Sequence, residues 1–353
     1  MKAAVYYGPG DVRVEERPEP VASEDNLVVQ INCCAICGTD VKLATIGHHR
    51  AKPGRIIGHE LVGHIVHVGR NVAGFAEGER VTMATSVGCG KANCPYCARG
   101  LHNLCPDALP IGLGVDGALA EFMAVPAQAL PGGNVVKVPD RVPDEAAALS
   151  EPMSCAINAQ EIVGVSVGDS VLIIGGGPLG AIHAELAKAG GARPVMISEF
   201  SEVRLEMLRG FADVLVIDAA NEDVGDVVAQ NTDGLGADVA VVAAPNRQAH
   251  EASINHVRKG GAVSFFASLP SGKSEVTLDS RIIHYRELRL CGASDSRPEH
   301  VRKAVELLAD GKIDYDKIVT HRVSLANLHE GFELMKQRQC LKVLVFPSGQ
   351  ESQ

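Results

Sequence analysis

The chain has 353 residues, 46% of them apolar, enough for two lobes with separate cores. Its formal net charge is −10 and it has no long basic run, which argues against nucleic acid or an anionic membrane as partners because their phosphates would go unneutralised. No basic segment followed by an apolar stretch opens the chain, and no run of about 18 uninterrupted apolar residues follows, so the reading is a cytoplasmic protein whose ten cysteines stay reduced or bind metal.

Short β-type runs punctuated by Gly and Pro fill residues 1–150: Ala3–Tyr7, Val12–Glu16, Leu27–Ile31, Leu61–Val68, Arg80–Ala84 and Glu121–Val125. They predict an antiparallel, barrel-like lobe. Beyond Glu151 the rhythm changes to short, almost wholly apolar strands at Val171–Ile174, Val195–Ser198, Val214–Ile217, Val239–Ala243 and Val263–Ala267. Helical patterns separate them at Leu179–Ala189, Ser201–Phe211, Val224–Gln230 and Arg247–Val257. Such alternation predicts an α/β, doubly wound parallel sheet, with Leu288–Cys291 as its sixth strand. Two further helices, Glu299–Ala309 and Leu325–Lys336, and a last strand, Leu341–Phe346, are expected to pack back on the first lobe.

The loop Gly175-Gly176-Gly177-Pro178-Leu179-Gly180 follows the strand Val171–Ile174 and opens a helix, the context in which a G-x-G-x-x-G pattern binds a dinucleotide. Gly175 permits the tight turn, Gly177 lets the backbone approach the pyrophosphate, and Gly180 lets helix and strand pack closely. The helix N-terminus then faces the phosphates. Glu199, about 20 residues on, can accept from both adenosine ribose hydroxyls and would repel a 2′-phosphate, which favours NAD over NADP. Arg204 lies just over one helical turn beyond and is read either as a phosphate partner or as a surface arginine.

Cys89, Cys94, Cys97 and Cys105, with Gly88, Gly90, Pro95 and Gly100 among them to permit turns, match a closed tetrahedral zinc site of structural type. Cys37, His59 and Glu60 offer a second, mixed set in which thiolate and imidazole suit zinc with an exchangeable position, the mark of a catalytic site.

Together these motifs resemble the zinc-dependent medium-chain dehydrogenase/reductase family over nearly the whole chain. Cys37-Gly38-Thr39-Asp40, Gly58-His59-Glu60, the cysteine lobe, Ser150-Glu151-Pro152 and the Gly175–Gly180 loop stand in family order. The resemblance implies a GroES-like β-barrel catalytic domain at 1–150 and 291–353, with a structural zinc lobe at about 86–106. A Rossmann NAD-binding domain at 151–290 interrupts it, and the active site lies in the cleft between the two.

The resemblance also assigns roles. Cys37 and His59 are catalytic-zinc ligands, and Glu60 is a ligand that comes and goes. Glu151 stands where ethanol-type enzymes have a cysteine and resembles the polyol, sorbitol and threonine dehydrogenase branch; from its position alone it is equally a helix-start carboxylate. Thr39 matches the hydroxyl that takes the alcohol proton, and Asp40 the carboxylate that orients the histidine ligand. Both also suit a helix cap after Cys37. A thiolate and two carboxylates on Zn²⁺ leave one surplus negative charge, so one carboxylate is expected to leave or to bind through water when substrate arrives.

The lobe departs from the family spacing Cys-x2-Cys-x2-Cys-x7-Cys by the insertion of Ala92-Asn93 after Cys89. Read without a gap, Lys91 takes the first ligand position. The loop of His48, His49, Arg50, Lys52 and Arg55 borders the substrate cleft in this family and is read as a holder of a substrate phosphate or carboxylate, or as a solvated loop.

The expectation is therefore an NAD-dependent enzyme with two zinc ions per chain that oxidises a secondary alcohol of a polyol, sugar alcohol or related sugar derivative to a ketone. Threonine 3-dehydrogenase-like or sugar-phosphate activity is the alternative. A non-catalytic protein of the same fold would be signalled by a lost ligand, and none of Cys37, His59, Glu60 or Glu151 is missing. The partner is a small-molecule alcohol, and a dimer or tetramer is implied, with the apolar run Leu288–Cys291 suited to an interface.

Overall fold

In the strand Leu27–Ala35, Val29, Gln30 and Ile31 alternate buried, exposed and buried, the period-two pattern of a strand with one face on a core, and Leu27 and Val28 before them are both buried. A computed structural model describes residues 1–349 and divides the chain into two units, Met1–Ser154 together with the chain from Asp295 onward, and Cys155–Ser294.

The first unit is built on a seven-stranded sheet. Its order is Val135–Lys137, Arg80–Met83, Glu60–Val68, Leu27–Ala35, Lys342–Phe346 and Val319–Ser324, with Phe122–Val125 also paired to Leu27–Ala35. All pairings are antiparallel except that of the last two strands. The tail completes the sheet of the first lobe with Lys342–Phe346 and adds the unanticipated strand Val319–Ser324. Leu27–Ala35 also runs further than its expected end at Ile31. A register shift between Ile31 and Cys33 re-aims the chain, and Cys33, Cys34 and Ala35 are all buried beyond it, which erases the alternation. A smaller sheet joins Asp11–Glu16, Lys2–Gly8 and Arg55–Ile56.

The second unit is a six-stranded parallel sheet in the order Val214–Asp218, Val195–Glu199, Val171–Ile174, Ala237–Val242, Val257–Phe265 and Arg289–Gly292. The order reverses at Val171–Ile174, and in such sheets ligands bind beyond the carboxyl ends of the strands at the switch point. Two expectations are corrected. The helix starting at Arg247 ends at Ser253 because Val257 already opens the next strand. The helix Ser150–Val163 was foreseen only at its first residues, since it is buried on nearly every side and shows little amphipathic period. Among the described residues no helix is long and apolar enough to cross a membrane.

Candidate active site and metal centres

Gly58 fixes where the first centre forms. Its φ is +91°, and a Cβ there would lie 2.6 Å from Leu119 Cγ and 2.8 Å from the Leu119 amide nitrogen, so only glycine can make this turn. The chain leaves it with His59 and then Glu60, the first residue of Glu60–Val68, paired to Ala35. Cys37 precedes the helix Gly38–Ile46 in extended conformation. The ligand atoms of Cys37, His59 and Glu60 lie within 4.8 Å of one another, with His59 and Glu60 buried.

Asp40 organises this triple. One of its carboxylate oxygens accepts from the Cys37 amide at 2.9 Å; the other accepts from the Gly58 amide at 3.2 Å and stands 3.7 Å from His59 Nδ1. The carboxylate that caps the helix thus also stands beside the imidazole. Burial raises the Asp40 carboxyl, with His59 opposing. For His59, burial acts downward, but the Cys37 and Asp40 anions outweigh it and hold the imidazole well above its ordinary value. Anionic surroundings of this kind, with soft and borderline donors converging, favour a bound cation, and the residues fit zinc. Thr39 follows two residues after Cys37, in the first turn of the same helix.

Glu151, 5% exposed, accepts from the Thr85 hydroxyl at 3.1 Å. Burial, then Glu60 and Asp295, push its carboxyl up to about 7, while His59 and Lys342 oppose them. Its carboxylate lies within 4.8 Å of that of Asp295, which in turn accepts a hydrogen bond from Ser86.

Sequence reasoning missed Lys342. Its ammonium donates to both Glu60 oxygens, at 2.8 and 2.7 Å, and to the Ile36 carbonyl at 3.4 Å, with the lysine 1% and the glutamate 0% exposed. The strand Lys342–Phe346 lies on one edge of Leu27–Ala35 and Glu60–Val68 on the other, so the pair closes around the end of the strand between them. The available signal was one cation heading the otherwise apolar run Val343–Phe346.

In the second centre the sulfurs of Cys89, Cys94, Cys97 and Cys105 lie within 4.8 Å of one another, with Cys89 to Cys97 and Cys94 to Cys105 both at 3.8 Å and no disulfide formed. Four sulfurs about 2.3 Å from a tetrahedral zinc are about 3.8 Å apart along each edge, so the set fits the ion. Cys89 is therefore inside the cluster despite the inserted residues, and Lys91 instead pairs with Asp107 at 2.6 Å.

In the second unit, Gly175 takes φ +108°, where a Cβ would lie 2.7 Å from that of Ala244. Gly177 precedes the helix Pro178–Ala189, with Pro178 and Leu179 in its first turn, and a Cβ at Gly180 would lie 2.0 Å from the Gly175 carbonyl oxygen. Glu199 ends the next strand. It accepts from the backbone amides of Gly176 (2.9 Å), Phe200 (2.7 Å) and Ser201 (2.9 Å). Arg204 lies beside Gly177 and 3.9 Å from Glu199. Of the basic loop, Arg55 is paired with Asp116 at 2.7 Å, while His49, Arg50 and Lys52 are exposed.

The family model for the alcohol dehydrogenase GroES-like domain matches residues 23–140, and that for zinc-binding dehydrogenases matches residues 178–310. The chain belongs to the zinc-dependent medium-chain dehydrogenase family and is an oxidoreductase of CH–OH groups. It is 35% identical to an L-threonine 3-dehydrogenase of Pyrococcus abyssi, covering 98% of this chain and 97% of that one. With the sorbitol dehydrogenase of Bacillus subtilis it shares 31% identity, covering 99% and 98%. Among solved structures, a zinc-binding dehydrogenase assigned in Sinorhizobium meliloti and bound to NADP superposes with a TM-score of 0.89 at 29% identity, covering 98% of this chain and 99% of that one.

Proposed function

We propose that the protein oxidises a secondary alcohol of a polyol, sugar alcohol or related sugar derivative to a ketone, with NAD as acceptor. The observation that carries this reading is the Cys37, His59 and Glu60 triple, with one sulfur and no second, and another buried carboxylate, Glu151, close enough to feel the charges of His59 and Glu60. Bound there, zinc would supply Lewis acidity that lowers the pKa of an alcohol hydroxyl. Cys37 and His59 would hold it, Glu60 and Glu151 would be its exchangeable carboxylates, and Asp40 keeps the imidazole oriented. Thr39 takes up the hydroxyl proton. The cysteine quartet would hold the second ion and pin residues 86–106. The catalytic domain is taken as 1–150 with 291–353, the cofactor domain as 151–290, and the outer strand Arg289–Gly292 as the interface of a homo-oligomer.

NAD is preferred in this reading because three backbone amides fix the Glu199 carboxylate, which leaves about one of its four acceptor positions for a ribose hydroxyl and repels a 2′-phosphate. Gly175, Gly177, Pro178, Leu179 and Gly180 cradle the pyrophosphate, with Arg204 beside them. A second reading, oxidation of the L-threonine hydroxyl, is supported by the 35% identity to the archaeal relative.

The test is reduction of NAD and of NADP, followed by nicotinamide absorbance, over polyols, inositols, polyol phosphates, threonine and simple secondary alcohols, with and without chelator. Chelator-sensitive turnover of one polyol class with NAD is expected, and threonine as the best substrate would select the second reading. Silence across the panel from zinc-loaded protein that binds NADH would remove both.

A further inference from the structure

The dinucleotide reading gives the adenosine ribose to Glu199 and the pyrophosphate to the Gly175–Gly180 turn, and leaves the bed of the nicotinamide half unassigned. We infer that this bed is the chain leaving the carboxyl end of Val257–Phe265, residues 266–268, and that the buried His250 is the residue that positions it. This inference rests on the dinucleotide reading proposed above.

Sheet order supplies the direction. Val195–Glu199 lies on one side of Val171–Ile174, and Ala237–Val242 followed by Val257–Phe265 lie on the other. A dinucleotide held by its pyrophosphate at the middle strand, with its adenosine toward Glu199, sends its other half over the ends of those two strands, each about 4.8 Å from the next. The chain emerges from burial there. Val263 and Ser264 are buried, residues 265–267 are half-buried and Ser268 is exposed.

Two buried histidines grip this strand end. His250, 3% exposed in the helix Arg247–Ser253, has Nε2 at 3.0 Å from the Ala267 carbonyl oxygen and Nδ1 at 2.9 Å from that of Asn246, and its ring centroid lies 5.0 Å from that of Phe265. Carbonyl oxygens only accept, so the imidazole is the donor in whichever of these bonds is made. His183, on the helix Pro178–Ala189 that the glycine turn opens, meets Phe266 edge to face at 4.5 Å. The Ala267 amide donates to the Val242 carbonyl at 2.9 Å, and the Asn246 amide to that of Ala244 at 2.8 Å. Ala244 is also the residue that a Cβ on Gly175 would strike. His250 therefore ties residues 266–268 to the same framework that carries the pyrophosphate turn. A strand end fixed beforehand spares the cofactor the cost of ordering it.

The test compares two ligands on the full-length protein by calorimetric titration. ADP-ribose carries the adenosine, the pyrophosphate and the second ribose of NADH but no nicotinamide. His250→Leu should weaken NADH binding about tenfold, the scale of one buried acceptor left unpaired, and leave ADP-ribose binding unchanged. His250→Gln, whose side-chain amide can donate to the Ala267 carbonyl, should bind NADH close to the wild-type level. A merely structural role predicts instead that both ligands weaken together.

Equal loss of both ligands in His250→Leu would overturn the inference, as would unchanged NADH binding or a His250→Gln protein as weak as His250→Leu. If His250→Leu does not fold, amide hydrogen exchange of the wild-type protein, read by mass spectrometry, decides. NADH should slow exchange in the peptide covering residues 266–268 and ADP-ribose should not; equal protection by the two ligands, or none, overturns the inference. Wild-type protein that binds neither ligand would remove the dinucleotide reading itself, an outcome separate from all of these.

Discussion

At the scale of single residues, the described protein shows how burial sets charge. His183, in the helix Pro178–Ala189, is fully buried, accepts from the Gln160 amide at 3.2 Å through Nδ1, and meets the edge of Phe266. Burial alone lowers its pKa to about 3. The unfolded chain takes up a proton near pH 6.5 and the folded chain does not, so this group's contribution to stability is full above about pH 6.5 and is lost as pH falls toward 3. The slope is about 1.4 kcal/mol per pH unit, or about 2 kcal/mol between pH 7 and pH 5. Urea unfolding followed by circular dichroism at the two pH values should show that loss in the wild type, and His183→Leu should lack it. Equal pH dependence in both proteins would mean that His183 is not held neutral. In the other unit the buried Asp40 instead accepts from two backbone amides and the buried Lys342 is paired with Glu60.

At the scale of elements, the turn joining Val171–Ile174 to Pro178–Ala189 shows why the glycine fingerprint is written with glycine. A methyl group at position 180 would sit 2.0 Å from the Gly175 carbonyl oxygen, a backbone atom that cannot swing aside. Gly180→Ala should therefore push the helix off the strand, weaken NADH binding at least tenfold and cost about 1–3 kcal/mol of stability by overpacking. A fluorescence titration with NADH and a thermal melt read the two effects. Gly8→Ala is the control, since a Cβ at position 8 meets nothing within 4 Å. Wild-type binding by Gly180→Ala would show that helix and strand have slack the geometry denies them.

At the scale of the whole molecule, the first unit is discontinuous in sequence. The chain leaves it after Ser154 and returns at Asp295, and the returning strand Lys342–Phe346 brings the counter-ion of Glu60. The cysteine lobe is local by comparison, closed by the short pairing of Ser86–Val87 with Leu109–Pro110 and by the sulfur cluster between them. Loss of one sulfur should therefore damage only the lobe. Elemental analysis is expected to find about two zinc ions per chain in the wild type and about one in Cys105→Ser. Limited proteolysis of that variant should cut first within residues 86–106, while NADH binding is retained. Unchanged zinc content in Cys105→Ser would remove the structural-zinc assignment.

Local pattern was enough for the parallel sheet and the Gly175–Gly180 turn with Glu199, because each rests on short-range spacing, strand period or turn geometry that a linear chain carries on its face, whereas the roles of Cys37, His59 and Glu60 came from the family resemblance. The same locality explains what it hid. The helix Ser150–Val163 is buried on nearly every side and shows little period, and the cysteine spacing left Cys89 and Lys91 as rivals until folding turned the sulfur toward its partners and the ammonium toward Asp107. Which charge faces Glu60 depends on strands from the two ends of the chain meeting on either side of Leu27–Ala35, and no spacing along the sequence encodes that encounter. The sequence by itself determined the class of chemistry and the identity of the candidate ligands. The tertiary structure alone decided how their charges are balanced, because an ion pair between residues 60 and 342 exists only once the sheet has brought them to 2.7 Å and taken water away.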